Sequence, residues 1–227
     1  MNSEIKFHFL SNHQLSNNLS REQLNDLCTS ANFRVADKGE NIFFESDSDT
    51  RVFLVLKGVI KISEMSESGI EMIKEVIREG DFFGDITMNT YTSEVEYAVA
   101  LTDDTVICSF NRIEFEAILN RNPMLAVNFA KHVGSKLRKL EHRHSNLVFH
   151  DVKTRLINFF KEWAFSEGTK SGNKIVLNNY LTHNDIAGLI STSRQSVTVL
   201  LNELKDSGLF NYSRKHIEIS QNAFAIN

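Results

Sequence analysis

The chain has 227 residues, 41% hydrophobic and 24% charged, with a formal net charge of −4 and two cysteines. That length supports one large or two small domains with a real core, and the composition is ordinary for a soluble globular protein. No apolar run reaches the ~18 residues of a membrane span, MNSEIKFHFLSNHQL lacks a signal-peptide core, and Cys28 and Cys108 are far apart in sequence, so we expect no membrane span and no disulfide framework, and a cytoplasmic protein.

Charge is uneven along the chain. Residues 1–151 hold 16 basic against 23 acidic side chains, net −7, whereas residues 152–227 hold 9 against 6, net +3. A phosphate-facing module belongs in the second part.

In chain order, SNNLSREQLNDLCTS (16–30) reads as a short amphipathic helix on Leu19, Leu24 and Leu27, with Cys28 a small apolar neighbour rather than a reactive thiol. From Asn32 to Ser109 the texture is β: ENIFFE, RVFLVLKGVIKISEM, EMIKEVI, EYAVAL and TVICSF, punctuated by Gly39, Gly58, Gly69, Gly80 and Gly84. Short strands at this spacing predict a small antiparallel barrel or roll. Rolls of this kind can hold catalytic metals on clustered histidines, but none of the eight histidines lies between His13 and His132. No spaced carboxylate motif and no nucleophile–base pairing stands out either, so we expect no metal, no cofactor and no enzyme.

Arg112–Asn120 reads as a short helix, and Asn122-Pro123 as the start of a long one. In the latter, Ala126, Ala130, Val133, Leu137, Leu140, His144 and Leu147 keep heptad spacing, the seam of a two-stranded coiled coil and hence of a homodimer. Lys131, Lys136, Arg138, Lys139, Glu141 and Arg143 lie off the seam and read as solvated, and His142 and His150 read as solvent-facing or hydrogen-bonded locally. His144 reads as a polar residue tolerated where the helices splay. NLVFHD (146–151) breaks the heptad and reads as a hinge, after which Asp151 caps a helix with Val152, Leu156, Phe159, Phe160 and Trp163 on its apolar face. SEGTKSGNK (166–174) reads as a polar surface loop and IVLNNYL as a strand.

LTHNDIAGLISTSRQSVTVLLNELKDSGLF (181–210) then reads as a helix-turn-helix. Thr182 with Asp185 makes a capping box, and Ile186, Ala187 and Ile190 make one apolar face. Ser191-Thr192 interrupts, Ser193 caps a second helix, Val197, Leu200, Leu201 and Leu204 make its buried stripe, and Gly208 stops it. Its opposite face carries Arg194, Gln195, Thr198, Val199 and Asn202, side chains suited to base edges in a major groove. FNYSRKHIEIS reads as a β-hairpin, which makes the motif winged. Thr182, Ser193, Ser196, Arg214 and Lys215 are the expected phosphate contacts. The fold class is α+β: a roll domain with an N-terminal helix (1–121), a dimerisation helix and hinge (122–150) and a winged helix-turn-helix domain (151–227).

The order roll, long helix, hinge, winged helix-turn-helix resembles the Crp/Fnr family of bacterial transcription regulators. The resemblance is carried by GENIFFESDSDTRVFLVLKGVIKI, GDFFGDITM, NLVFHDVKTRL and the helix-turn-helix, and covers nearly the whole chain. It implies a homodimer on a near-palindromic promoter site, with the roll as sensor. RNA polymerase is a further implied partner, through a loop like SEGTKSGNK. Of the family's recognition helix, Ser193 and Arg194 match, Gln195 replaces a glutamate, and Val199 stands where a second arginine belongs.

The implied effector pocket departs further. FFGDI keeps Gly84 and shortens the family's glutamate to Asp85, and no Arg or Lys occurs from Gly80 to Asn111, where Glu94 and Glu96 lie instead. The family's adenine-contacting pair aligns with Leu140 and Glu141. We therefore expect no binding of cyclic AMP or cyclic GMP. The family's iron–sulfur branch needs four cysteines, and its haem branch a histidine in the roll; His8, His13 and the long-helix histidines are the remaining haem ligands. An unidentified effector stays open. The competing reading is a roll that senses a ligand (haem or a metabolite) or docks a partner, beside a vestigial DNA-binding domain.

Overall fold

The computed structural model describes residues 3–12, 16, 19–44, 51–65, 71–84 and 96–224. Two compact units are present, Met1–Arg138 and Lys139–Asn227.

The first unit begins with α1 (Ser3–Ser11), which the sequence reading did not separate from its surroundings, and α2 (Arg21–Ser30). α2 starts five residues later than expected because Ser20 and Gln23 form a capping box. Among the described residues eight strands follow: β1 (Asn32–Ala36), β2 (Asn41–Phe44), β3 (Arg51–Lys57), β4 (Val59–Met65), β5 (Glu71–Arg78), β6 (Phe82–Gly84), β7 (Glu96–Ala100) and β8 (Thr105–Asn111). They pair antiparallel in two sheets, ordered β1-β8-β3-β6 and β2-β7-β4-β5. The period-2 alternation of β3 divides the core. Val52, Leu54 and Leu56 join Leu10, Leu27 and Phe129 between sheet and helices, while Phe53 and Val55 join Ile42, Ile60 and Phe83 between the sheets.

α3 (Arg112–Arg121) is capped by Asn111, and α4 runs from Pro123 to Phe149. The helix thus continues through Asn146–Phe149, where the sequence predicted a break in the heptad and a hinge. Asn146 Oδ1 accepts from Asn158 Nδ2 at 3.3 Å, and the chain leaves helical geometry only at His150–Asp151. Lys136 is another correction. It is not solvated but donates to Phe82 O at 2.9 Å and pairs with Glu75 at 3.0 Å. One turn earlier, His132 Nε2 accepts from Phe82 N at 3.3 Å. Leu125, Phe129, His132 and Lys136 therefore form a second stripe on α4, turned toward the roll and adjacent to the heptad seam.

In the second unit, α5 (Val152–Glu167) is capped by Asp151, whose Oδ1 accepts from Thr154 N at 2.8 Å. Leu156, Phe160 and Trp163 are buried, and Trp163 stacks on Phe160 and packs against Tyr180. Residues 166–174 are not a loop. α5 extends to Glu167, and Thr169–Ser171 (β9) pairs with β10 (Lys174–Asn178). Gly168 permits that abrupt exit, since a Cβ there would stand 2.3 Å from Ala164 O. With β11 (Phe210–Tyr212) and β12 (His216–Ser220) the strands make one sheet, β11-β12-β10-β9. α6 (His183–Leu189), α7 (Arg194–Asp206) and a short 3₁₀ helix (Gln221–Phe224) complete it.

Candidate nucleic-acid interface

The helix-turn-helix is built by local hydrogen bonds that residue type and spacing dictate. Thr182 Oγ1 accepts from Asp185 N at 3.1 Å and donates to Asp185 Oδ2 at 2.7 Å, and the same Oδ2 accepts from Thr182 N at 2.8 Å. Ser193 Oγ accepts from Ser196 N at 3.0 Å and starts α7. At its far end Gly208, at φ +72°, turns the chain while its N–H and that of Leu209 donate to Lys205 O and Leu204 O. Ile186, Ala187, Ile190, Val197, Leu201 and Leu204 are buried, and Leu200 is half-buried.

What remains outside is the candidate reading face: Arg194, Gln195, Val199 and Asn202 are exposed. Thr198 is half-buried, with both functions of its hydroxyl engaged. It donates to Arg194 O at 2.9 Å and lies 2.9 Å from His183 Nδ1. Because the hydroxyl proton serves Arg194 O, Nδ1 must carry the proton that closes the second bond. Burial, and then the Arg194 charge, lower the His183 pKa and favour the neutral ring. His183, edge-on to Tyr212 at 5.0 Å, thus props the first turn of α7 from behind. No sequence motif marks it.

The turn between α6 and α7 holds a second unmarked feature. Ser191 adopts φ +54°, the left-handed region that costs a non-glycine residue roughly 1 kcal/mol. Arg155, from α5, donates Nε to Ile190 O at 3.0 Å, Nη2 to Ser191 O at 3.1 Å and Nη1 to His150 O at 2.9 Å. Arg143 donates to Leu189 O at 3.2 Å, so it too is not the solvated residue its spacing suggested. Two arginines therefore fasten the carbonyls of the turn.

At the wing, Arg214 and Lys215 are exposed between β11 and β12. Ser213 and His216 close the turn, and Asn179 ties it down through Lys215 O and Ser213 O, each at 2.8 Å. The cations are thus carried on a braced turn.

On α4 the expected seam is largely bare: Val133 is 38% exposed, Leu137 57%, Leu140 56% and Leu147 43%. Ala130 and His144 are exposed as well, and Ala126 is half-buried. His142 pairs with Glu162 at 3.0 Å. Of the expected effector-pocket residues, Gly84 ends β6, and Leu140 and Glu141 stand exposed on α4. Asp85, Glu94 and His13 lie outside the described residues. Cys108 is buried and Cys28 half-buried, and burial raises both thiol pKa values. Among the described residues no group of three His, Cys, Asp or Glu side chains could hold a metal ion, and no helix is long and apolar enough to cross a membrane.

Residues 33–122 match the family model of the cyclic nucleotide-binding domain, and residues 154–222 that of the Crp-like helix-turn-helix domain. Over 185 residues the chain is 30% identical to the global nitrogen regulator of Synechococcus elongatus, covering 81% of this chain and 83% of that one. The chain belongs to the Crp/Fnr family. It is also similar to a CRP-like cAMP-activated global transcriptional regulator of Mycobacterium tuberculosis, at 22% identity over 183 residues and 81% of each chain. Among solved structures, a CooA mutant from Carboxydothermus hydrogenoformans superimposes with a TM-score of 0.69 at 26% identity, covering 84% of both chains. Membership in Crp/Fnr carries the coarse functional statement: this is a DNA-binding transcription regulator.

Proposed function

We propose that this Crp/Fnr regulator acts as a homodimer on a near-palindromic promoter site, with α7 of each protomer in a major groove. The observation that carries the reading is the exposed face of α7, where Arg194 and Gln195 stand at the helix start with Val199 and Asn202 behind them. Arg194 suits bidentate donation to a guanine, Gln195 and Asn202 suit adenine, and Val199, half exposed, suits a thymine methyl. Thr198 contributes only its methyl edge, since its hydroxyl is engaged. Thr182, Ser193 and Ser196 near the helix starts, with Arg214 and Lys215 on the wing, take the phosphates. In domain terms, 1–121 is the sensor, 122–150 the dimer helix and 151–227 the DNA-binding module. Such a protein works in the cytoplasm, with RNA polymerase as its downstream partner.

Arg194→Ala is expected to cost about 1–3 kcal/mol per half-site on cognate DNA and to leave random DNA nearly unaffected. Lys215→Ala should weaken both and reduce the salt slope by about one per protomer. Fluorescence anisotropy on both DNAs over a salt series separates them. Equal loss on cognate and random DNA for Arg194→Ala would sink the base-reading assignment.

We further propose that the roll does not respond to cyclic AMP or cyclic GMP. From Gly80 to Asn111 the chain offers no cation for a cyclic phosphate, and the α4 cation facing β5 and β6, Lys136, is already paired with Glu75. Calorimetry should show no heat of binding for either nucleotide. Micromolar affinity for one of them overturns this part.

A further inference from the structure

The first helix of the helix-turn-helix carries almost no charge. From Thr182 to Ser193 the only side chains that ionise are His183 and Asp185. Asp185 is buried, and its Oδ2 accepts from both N and Oγ1 of Thr182. His183 is half-buried between exposed Thr182 and Asn184, so it is the one side chain of this stretch that can offer a cation to a phosphate.

Its surroundings decide which nitrogen titrates. Nδ1 lies 2.9 Å from Thr198 Oγ1, whose own proton goes to Arg194 O. Nδ1 therefore keeps its proton and donates whether the ring is neutral or charged. The proton that comes and goes belongs to Nε2, on the far side of the ring from Thr198, which has no hydrogen-bond partner among the described residues. Protonation thus breaks no bond of the fold and adds one donor. The groups facing the ring are Arg194 from α7 and Tyr212 from β11, while Asp185 in the same helix is spent on the Thr182 cap. Burial and the Arg194 charge hold the free ring below the ordinary histidine pKa, and burial raises the Tyr212 phenol, which stays neutral.

We propose that His183 is a proton-gated phosphate contact: on binding DNA each protomer takes up a solvent proton at Nε2, so the regulator binds more tightly as pH falls. The inference rests on the reading that α6 and α7 face the DNA backbone. A phosphate oxygen beside the neutral ring meets the Nε2 lone pair; beside the charged ring it accepts a charge-assisted hydrogen bond. The phosphate therefore raises the ring's pKa in the complex above its value in the free protein. Between the two values the complex holds a proton that the free protein lacks. Affinity accordingly falls as pH rises through that interval, by up to about tenfold per pH unit and protomer, and levels off on either side. The interval opens below the ordinary histidine value of about 6.5.

The test follows the anisotropy of a fluorescent duplex, selected by the protein from a random pool, from about pH 5.5 to about pH 8 at fixed ionic strength. The parent should lose about tenfold or more in affinity across the series. His183→Asn keeps an N–H for Thr198 but cannot titrate, and should be flat with pH near the parent's weakest affinity. His183→Arg, charged throughout, should be flat near the parent's tightest. His216→Asn, at the wing, should titrate like the parent. In the ¹⁵N-labelled full chain the His183 ring should titrate at least about one pH unit higher with the duplex than without it. This measurement needs no substitution and decides if the variants melt early. The proposal is overturned if His183→Asn keeps the parent's pH dependence, or if the ring titrates alike with and without DNA. DNA binding that is flat with pH in the parent overturns it and leaves the DNA reading standing, whereas no binding at any pH removes both.

Discussion

Replacing Arg155 with alanine is expected to destabilise the C-terminal unit by about 2 kcal/mol and to weaken DNA binding together with stability. The residue makes three charge-assisted hydrogen bonds, to His150 O, Ile190 O and Ser191 O. Each such bond contributes roughly 1.5–3 kcal/mol when its loss leaves the partner buried and unsatisfied. Here His150 and Ser191 are exposed, so water replaces part of what is removed and the effects do not add in full. For a unit of this size the midpoint should fall by about 8–16 °C in the corresponding unfolding transition. DNA affinity should fall further than stability alone requires, because the same bonds hold the strained Ser191 turn that sets α7 relative to α6. Arg155→Lys should not rescue, since a single ammonium cannot reach three carbonyls in fork geometry. A Lys or Ala variant with native melting and native affinity would show that the turn holds its shape unaided.

Arg155 also marks where the sequence stops being readable. Thr182–Asp185, Ser193 and Gly208 announce themselves, because caps and stops are made by side-chain type at fixed spacing and act within four residues. The strands of the roll are legible for a similar reason: β3 and β8 are short, largely apolar runs, and Gly58 closes β3. Arg155 and Arg143 donate to main-chain carbonyls more than thirty residues away, and every residue has a carbonyl, so nothing in the partner's identity points back. β9 escapes because all three of its residues are exposed and polar, a strand held by backbone pairing with no apolar alternation to betray it. α1 escapes because it is only nine residues long; just Leu10 of it is fully buried. Lys136 misleads for a different reason. The heptad marks one stripe of α4, and the helix has two: a residue one position off the seam lands against the roll.

Those two stripes give the second large prediction. Leu125, Phe129, His132 and Lys136 are occupied by the protomer's own roll, so the helix cannot also turn Val133 and Leu137 into it, and Leu140 and Leu147 continue the same heptad stripe. These four side chains keep 38–57% of their surface uncovered in one chain, and Val148 and Phe149 extend the strip at 59% and 78%. An apolar strip of heptad period with no cover in its own chain fits a second copy related by a two-fold axis, where each residue meets its symmetry mate. Burying one leucine stabilises by about 1.5–3 kcal/mol, and the symmetry doubles it. Leu137→Glu combined with Leu140→Glu should therefore yield a folded monomer by sedimentation velocity. With the link between the half-sites lost, affinity for a palindrome should fall about 10²–10⁴-fold, while binding to an isolated half-site stays near that of the parent. If the double variant sediments as a dimer and keeps its palindrome affinity, the strip is not the interface. If it is monomeric yet also loses half-site binding, the seam holds the fold rather than the partner, and the bare leucines need another explanation.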